Sequence, residues 1–321
     1  MKHRRPLTAA LLAVALLFAL CASLASCTKK KTYTVGICQL TQHDALDAAT
    51  QGFMDALKAE LGEENVTFDL QNASGDTHAC STIVNAFVAK RVDLIMANAT
   101  AALAAAYNAT ATIPILGTSV TEYGSALHLP DFNGTVGGNV SGTSDLAPLD
   151  EQADMILELF PEARTVGLLY CSAEPNSEYQ VRVIAEILAG RGITTKRFSF
   201  SDSNDLAAVT RSACAASDVI YIPTDNTAAA GAQTIGNIVK SERVPVIAGE
   251  RGICSGCGVA ALSISYYDLG YTTGQMAARI LRGEADISTL PITYTTATKL
   301  YNPEICDLLG VEIPSDYTPL S

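Results

Sequence analysis

Thr135-Val-Gly-Gly-Asn-Val-Ser-Gly-Thr-Ser-Asp145 is the stretch on which the fold turns, and Asn139 to Asp145 is its centre. Its glycines and small polar residues supply turns and permissive backbone around one short apolar run, Thr135 to Val140. On either side lie two halves written in the same rhythm. Short β-branched runs alternate with longer alanine-rich runs of helical period. The stretch reads as the first crossing between two lobes. Its glycines read as a hinge, and Ser141, Thr143, Ser144 and Asp145 as candidate cleft wall.

Working outward toward the N-terminus, Tyr33 to Gln39 reads as a buried strand. Asp44 to Leu61 reads as a helix with Leu46, Ala49, Phe53, Leu57 and Leu61 on one face. Val66 to Leu70 is predicted as a strand, and a helix capped by Asp76 runs to about Lys90. Val92 to Ala97 and Ile113 to Leu116 are strands around a helix from Ala99 to Asn108. Strands this continuously apolar are buried on both faces, which belongs to parallel sheets with helices on each side.

Toward the C-terminus the plan repeats. Helices are predicted over Leu146 to Phe160, Tyr179 to Ala189, Asp205 to Ala216 and Asn226 to about Lys240. Strands are predicted over Thr165 to Tyr170, Thr194 to Phe200, Asp218 to Ile222 and Val244 to Ala248. Beyond Glu250 the pattern loosens into a strand (Gly258 to Ile264), a helix (Tyr266 to Leu281) and a strand (Pro291 to Thr298). The expected architecture is α/β: two similar lobes with parallel sheets, joined by a multi-strand hinge. Lobe 1 is expected over 33–140 with a return segment at about 262–290, and lobe 2 over 141–261 with a C-terminal segment at about 291–321.

The chain of 321 residues carries a formal net charge of −12. An acidic protein of this kind repels phosphate backbones, which argues against a nucleic-acid partner. At the N-terminus, Lys2, Arg4 and Arg5 precede an uncharged apolar run, Leu7 to Leu20, and then Leu24-Ala-Ser-Cys27. This is the layout of a secretory signal, and its end resembles a bacterial lipobox with Cys27 as the lipidated mature N-terminus. Residues 1–26 are thus expected to be removed, leaving a net charge of −15, and 27–32 to form a tether. The alternative is an uncleaved N-terminal anchor. The expected location is the outer face of the cytoplasmic membrane.

Seven cysteines follow Cys27, and an odd number cannot all pair within one chain. Most sit in apolar surroundings and read as buried small hydrophobes. Cys254-Ser-Gly-Cys257 has a recognisable spacing and reads as inert thiols, a local disulfide, a redox pair or half a metal site. No second such pair and no nearby histidine accompany it, so a metal is not expected.

In open parallel sheets ligands bind outside the carboxyl ends of the strands. Those ends yield Gln39, Thr41, His43, Asn98, Thr100, Thr118 and Ser119 from the first half. The second half contributes Tyr170, Glu174, Asn176, Ser177, Thr224, Asp225, Asn226 and Glu250, and the crossing adds Ser144 and Asp145. Twelve of these are expected as the site itself: Thr41, His43, Thr100, Thr118, Ser119, Ser144, Asp145, Tyr170, Thr224, Asp225, Asn226 and Glu250. Each polar residue reads equally as an ordinary helix cap; together they converge on one cleft. A carboxylate such as Asp225 suits an ammonium group. Thr100 and Ser119 suit a carboxylate if free backbone N–H groups are presented there. No phosphate-binding loop, nucleophile elbow or His-Glu-x-x-His occurs, so neither catalysis nor a cofactor is expected. A thiol oxidoreductase using Cys254 and Cys257 lacks a basic group to lower a thiol pKa.

Four motifs stand in order: Val-Gly-Ile-Cys-Gln-Leu-Thr-Gln-His-Asp-Ala-Leu-Asp-Ala-Ala (35–49), Gly-Gly-Asn-Val-Ser-Gly-Thr-Ser-Asp (137–145), Tyr-Ile-Pro-Thr-Asp-Asn (221–226) and Tyr-Tyr-Asp-Leu-Gly-Tyr-Thr-Thr-Gly-Gln-Met-Ala (266–277). With them the chain from about Tyr33 onward resembles the ABC-transporter substrate-binding lipoproteins of the tryptophan/tyrosine-binding type, which have the periplasmic-binding-protein type I fold. The resemblance implies two Rossmann-like lobes with three crossovers. It also implies hinge closure on a small ligand and delivery to a permease and ATPase. Aromatic amino acids are among the family's ligands. The resemblance places a ligand shell at Thr41-Gln-His43, Ala99-Thr100, Thr118-Ser119, Ser141 to Asp145 and Thr224-Asp-Asn226, with Tyr170 and Phe132 as candidates to pack on a side chain. The Cys-x-x-Cys within Arg251 to Gly258 departs from the family picture and leaves the contact role of Glu250 open. Two other readings stand beside the amino-acid one: a sugar or nucleoside as ligand, and a surface sensor not coupled to transport.

Overall fold

The computed structural model describes residues 31–320. The expected signal sequence, the lipidation site Cys27 and the first tether residues lie outside the described residues. The chain opens with β1 (Tyr33–Gln39), α1 (Asp44–Leu61), β2 (Val66–Asn72) and α2 (Thr77–Lys90). It continues with β3 (Leu94–Asn98), α3 (Thr100–Ala109), β4 (Ile115–Val120), α4 (Tyr123–Ala126) and β5 (Val140–Ser144). Next come α5 (Leu149–Leu159), β6 (Thr165–Cys171), α6 (Pro175–Gly190), β7 (Thr194–Phe200), α7 (Leu206–Cys214) and β8 (Val219–Ile222). Then follow α8 (Asn226–Ala230), α9 (Ala232–Glu242), β9 (Val246–Ala248), α10 (Arg251–Cys257) and β10 (Ala260–Ser263). The last elements are α11 (Tyr266–Leu281), β11 (Thr293–Tyr294), β12 (Thr298–Tyr301), α12 (Pro303–Leu309) and β13 (Thr318–Pro319).

The strands form two sheets, in the orders β11-β5-β4-β3-β1-β2 and β13-β12-β10-β9-β8-β6-β7. Every pairing is parallel except β10 with β12. Each sheet is covered on both faces. In the first, Val35 and Ile37 of β1 face a cluster with Phe53 and Leu57 of α1, while Cys38 joins Val84 and Phe87 of α2 on the other side. This two-sided burial is why β1 reads as a nearly unbroken apolar run. Emptying one such site, as in Phe53→Ala, would cost about 3–5 kcal/mol. Caps set the helix limits: Asp76 accepts the N–H groups of His78 and Ala79 to start α2.

The chain passes between the sheets three times, at 145–148, 264–265 and 295–297. The two-lobed parallel α/β architecture is the expected one. Several boundaries differ. All of β5 belongs to the first sheet, so the first passage lies after Ser144 and not at Val140. The end of β10 at 262–263 belongs to the second sheet, and the return to lobe 1 is made by α11, which packs on α1. The run from Pro291 to Thr298, expected as one strand, divides between the sheets: β11 pairs with β5, and β12 with β10. The expected helix from Asn226 to Lys240 breaks at Gly231, where a Cβ would press on Leu206.

Gly142 is a packing glycine, not a hinge. It sits mid-strand at φ 148°, and a Cβ there would strike the Gly117 backbone and the Tyr123 hydroxyl. Ser141, Thr143 and Ser144 are likewise spent inside the lobe. They bond respectively to the Leu290 carbonyl, to the Thr118 and Thr273 hydroxyls, and to the Thr121 carbonyl. Of the expected cleft wall, Asp145 alone reaches the pocket described next.

Candidate functional site

A small pocket lies where the two sheets point their strand ends at one another. The first sheet contributes His43 and Leu46 beyond β1, and Ser119 and Thr121 from the end of β4. The second contributes Asn176 from the start of α6, Thr224, Asp225, Asn226 and Ala229 beyond β8, and Glu250 beyond β9. Asp145 enters from the first passage between lobes, and Tyr266 from the start of α11, directly after the second. Outside it, and sharing Asn176 and Asn226, opens a cleft of about 870 Å³ whose walls include Thr41, Thr100 and Glu174.

Seven of the twelve residues expected at the site therefore line the inner pocket: His43, Ser119, Asp145, Thr224, Asp225, Asn226 and Glu250. Thr41 and Thr100 stand in the outer cleft. Thr118, Ser144 and Tyr170 line neither. Thr118 is bonded to Thr143, and Tyr170 is packed in the second lobe with its hydroxyl on Glu178. Phe132 stacks on Tyr123 at 6.4 Å between centroids, away from the pocket. The aromatic residue that does reach the pocket, Tyr266, was not expected there. Its signal was its place at the first turn of a helix directly after a crossing.

Two buried polar atoms at this pocket have no hydrogen-bond partner among the described residues: Asp145 Oδ1 and Ser119 Oγ. One is an acceptor, the other a hydroxyl. Such groups are costly unless something satisfies them. The other Asp145 oxygen accepts from the Tyr266 hydroxyl at 2.9 Å. Asp225 is differently placed. Its oxygens accept the backbone N–H groups of Ala228 at 2.8 Å and Cys171 at 2.6 Å, so it caps α8 and ties it to β6. Glu250 caps α10 through the N–H groups of Gly252 and Ile253. Glu174 accepts from Asn226 and Thr227, both backbone and side chain. Among the pocket carboxylates, the free acceptor belongs to Asp145.

The backbone beside Ser119 is strained. Ser119 sits at φ 53° and Ala99, just ahead of α3, at φ 90°. Positive φ is ordinary at a helix C-cap, where Arg91 and Arg243 have it, but not at these strand ends. Strain of this kind concentrates at ligand clamps. Ala99 offers α3 no side-chain cap, so the first N–H groups of that helix stay open toward the outer cleft, where Thr100 and Ala101 stand.

Burial pushes Asp145 up to about 6, against the Tyr266 hydrogen bond that pulls it back. Burial and the neighbouring Glu174 charge push Asp225 up to about 8. Burial also raises Glu250, with His43 opposing. The Tyr266 phenol is raised well above its usual range by burial and by Asp145, so it acts as a neutral donor. A pocket lined by three buried carboxylates, with His43 as its nearest basic group, favours a ligand that presents a cation. All seven cysteines of the described residues are buried thiols. No group of three or more metal-ligating side chains occurs among the described residues, and no helix among them is long and apolar enough to cross a membrane.

Comparison with known proteins gives three findings. Residues 34–318 match the family model for ABC transporter substrate binding proteins. A tyrosine-binding protein from Clostridioides difficile (strain R20291) is 33% identical over 273 residues, which is 84% of this chain and 79% of that protein. Two solved structures are also similar. One, an ABC domain in complex with L-Trp from Streptococcus pneumoniae, is 30% identical, with a TM-score of 0.84 over 89% of this chain and 97% of its own. The other, the ligand-free, open form of a substrate-binding protein with adhesive properties from Clostridium difficile, is 34% identical. Its TM-score is 0.70 over 90% of this chain and 99% of its own. The chain thus superposes better on the L-Trp complex than on the open form, although it is less identical to the former.

Proposed function

Because this chain belongs to the family of ABC transporter substrate-binding proteins, we propose that it is the lipid-anchored, extracytoplasmic receptor of an importer whose ligand is an aromatic α-amino acid, tyrosine or tryptophan. The observation that carries the ligand class is the pair of buried, unpartnered atoms, Asp145 Oδ1 and Ser119 Oγ, at one interlobe pocket. Asp145 accepts from the ammonium group. Ser119, Thr100 and the open N–H groups at the start of α3 take the carboxylate. Asp225 keeps its place at the pocket as the residue that holds α8, and the ammonium role moves to Asp145. Leu46 and Ala229, one from each lobe, offer apolar contact to the ring. The named ligands of two relatives, tyrosine and L-Trp, support the aromatic side chain. A ligand that touches both lobes favours the closed arrangement by its differential affinity. A permease and an ATPase then receive it, and Cys27 carries the lipid.

Isothermal titration of residues 28–321 with the twenty amino acids tests this reading. Heat with tyrosine or tryptophan is expected. Heat with none of them, or only with a sugar or nucleoside, would overturn the ligand assignment. Palmitate labelling that disappears in Cys27→Ala is the expected result for the anchor.

A further inference from the structure

Glu174 stands at the N-cap of α6 but makes no side-chain bond to its own helix. Its buried carboxylate is turned instead to the start of α8. One oxygen accepts the backbone N–H and the hydroxyl of Thr227, at 2.8 and 2.7 Å. The other accepts the backbone N–H of Asn226 at 3.0 Å, the Asn226 Nδ2 at 2.7 Å and the Asn176 Nδ2 at 3.1 Å. The two backbone bonds satisfy the open end of a short helix. Capping does not require the bond to the Asn226 side chain.

The consequence of that extra bond is directional. A carboxylate accepts, and only the nitrogen end of a side-chain amide donates. Glu174 therefore fixes which way the Asn226 amide faces: Nδ2 toward Glu174, Oδ1 away from it. On that far side Oδ1 lies 3.3 Å from His43 Nε2, in the other lobe. An amide oxygen cannot donate, so the proton of this contact sits on Nε2 of His43. His43 and Asn226 line the inner pocket, whereas Glu174 lines only the outer cleft.

We infer that Glu174 is the positioning residue of the bridge between the lobes: through Asn226 it holds His43 in the tautomer with its proton on Nε2. Were the amide turned over, Asn226 would offer an N–H to His43, and the bridge would need the opposite tautomer. Fixing the amide removes that second arrangement before the lobes meet, which is preorganisation of the closed state. The inference deepens the ligand-binding reading above and rests on it for the part played in affinity; the orientation of the bridge stands on the hydrogen bonds alone.

Long-range nitrogen–proton correlation spectra of isotope-labelled, ligand-free residues 28–321 at alkaline pH read the tautomer of the neutral ring. Loss of signals in His43→Ala identifies them. The unaltered protein is expected to show Nε2–H. In Glu174→Gln the new amide can donate to Asn226 Oδ1, so the Asn226 amide turns and an Nδ1–H population appears. Adding Asn226→Asp to that variant offers His43 an acceptor either way and should restore Nε2–H. A capping role alone would move none of these signals. Nδ1–H in the unaltered protein, or one tautomer throughout, overturns the inference. Titration with L-tryptophan supplies the second measurement. Glu174→Gln should weaken binding by about 2- to 10-fold, and should weaken it no further once His43 is alanine. An equal loss in both backgrounds would put Glu174 on the ligand itself and overturn the positioning role. If no variant binds tryptophan or tyrosine, the ligand assignment fails and the spectra still decide the bridge. If Glu174→Gln does not fold, the tautomer of the unaltered protein decides.

Discussion

His43 Nε2 lies 3.3 Å from Asn226 Oδ1, and the two residues belong to opposite lobes. Asn226 in turn donates to Glu174, so a line of side chains runs from α1 to the second lobe across the pocket. This direct bridge agrees with the better superposition on the L-Trp complex than on the open form. A neutral hydrogen bond of this kind contributes about 0.5–1.5 kcal/mol. His43→Ala should therefore weaken ligand affinity by about 2- to 10-fold. It should also raise the radius of gyration of the ligand-free protein in small-angle scattering. An unchanged scattering curve would mean that the pair does not hold the lobes together.

Asp145 should be the most sensitive pocket carboxylate. Its free oxygen is the acceptor an ammonium group needs, and a charge-assisted hydrogen bond is worth about 1.5–3 kcal/mol. Asp145→Asn is expected to lower affinity by about 10- to 100-fold. Because the substitution removes a buried charge, Tm of the ligand-free variant should not fall. Asp225→Asn should behave in the opposite sense, costing stability first. It weakens the cap of α8 and the tie to Cys171. Thermal melts and titration of the two variants side by side separate the roles.

The pH dependence should split by sign. Asp145 and Asp225 have folded values near 6 and near 8, raised above the ordinary 3.8. A raised carboxyl contributes most to stability below its unfolded pKa, and that contribution is lost as pH rises through the folded value. Ligand-free Tm should therefore rise between pH 8 and pH 5 as far as these groups decide it. Ammonium binding needs ionised Asp145, so affinity should fall as pH drops through about 6, and binding near that pH should release protons. Titration in buffers of different ionisation enthalpy measures the release; its absence would remove Asp145 from the ammonium site.

The regular elements were legible because both-face burial writes itself into composition. β1 and α1 were read to the residue, since Val35, Ile37 and Cys38 must all be apolar and Leu46, Ala49, Phe53 and Leu57 share one face. The passages between lobes were less legible. Pro291 to Thr298 has the composition of one strand, but its two ends pair with different sheets, and pairing partners leave no local mark. At the site, strand-end logic found His43, Ser119 and Asp225. It could not tell a polar residue aimed at the cleft from one bonded within its lobe, and so included Thr118; reading the crossing as cleft wall brought in Ser144 in the same way. Tyr170 was misplaced for the same reason: its ring belongs to the second core and its hydroxyl is held by Glu178.

Gly142 provides the sharpest contrast between a hinge and a packing constraint. Its φ of 148° disfavours any L side chain, and a Cβ would run into the Gly117 backbone. Neither can yield without breaking the β4–β5 register, where Gly117 and Gly142 are partners. Gly142→Ala should cost about 2 kcal/mol or more, through overpacking together with an unfavourable φ. Gly138→Ala is the control. It also has positive φ, 59°, but open space around it, so its cost should be about 1 kcal/mol. If Gly142 were a hinge, its alanine variant would keep its Tm and change only affinity. The packing reading requires the reverse: a lower Tm in thermal denaturation, with affinity near the native value in whatever fraction remains folded.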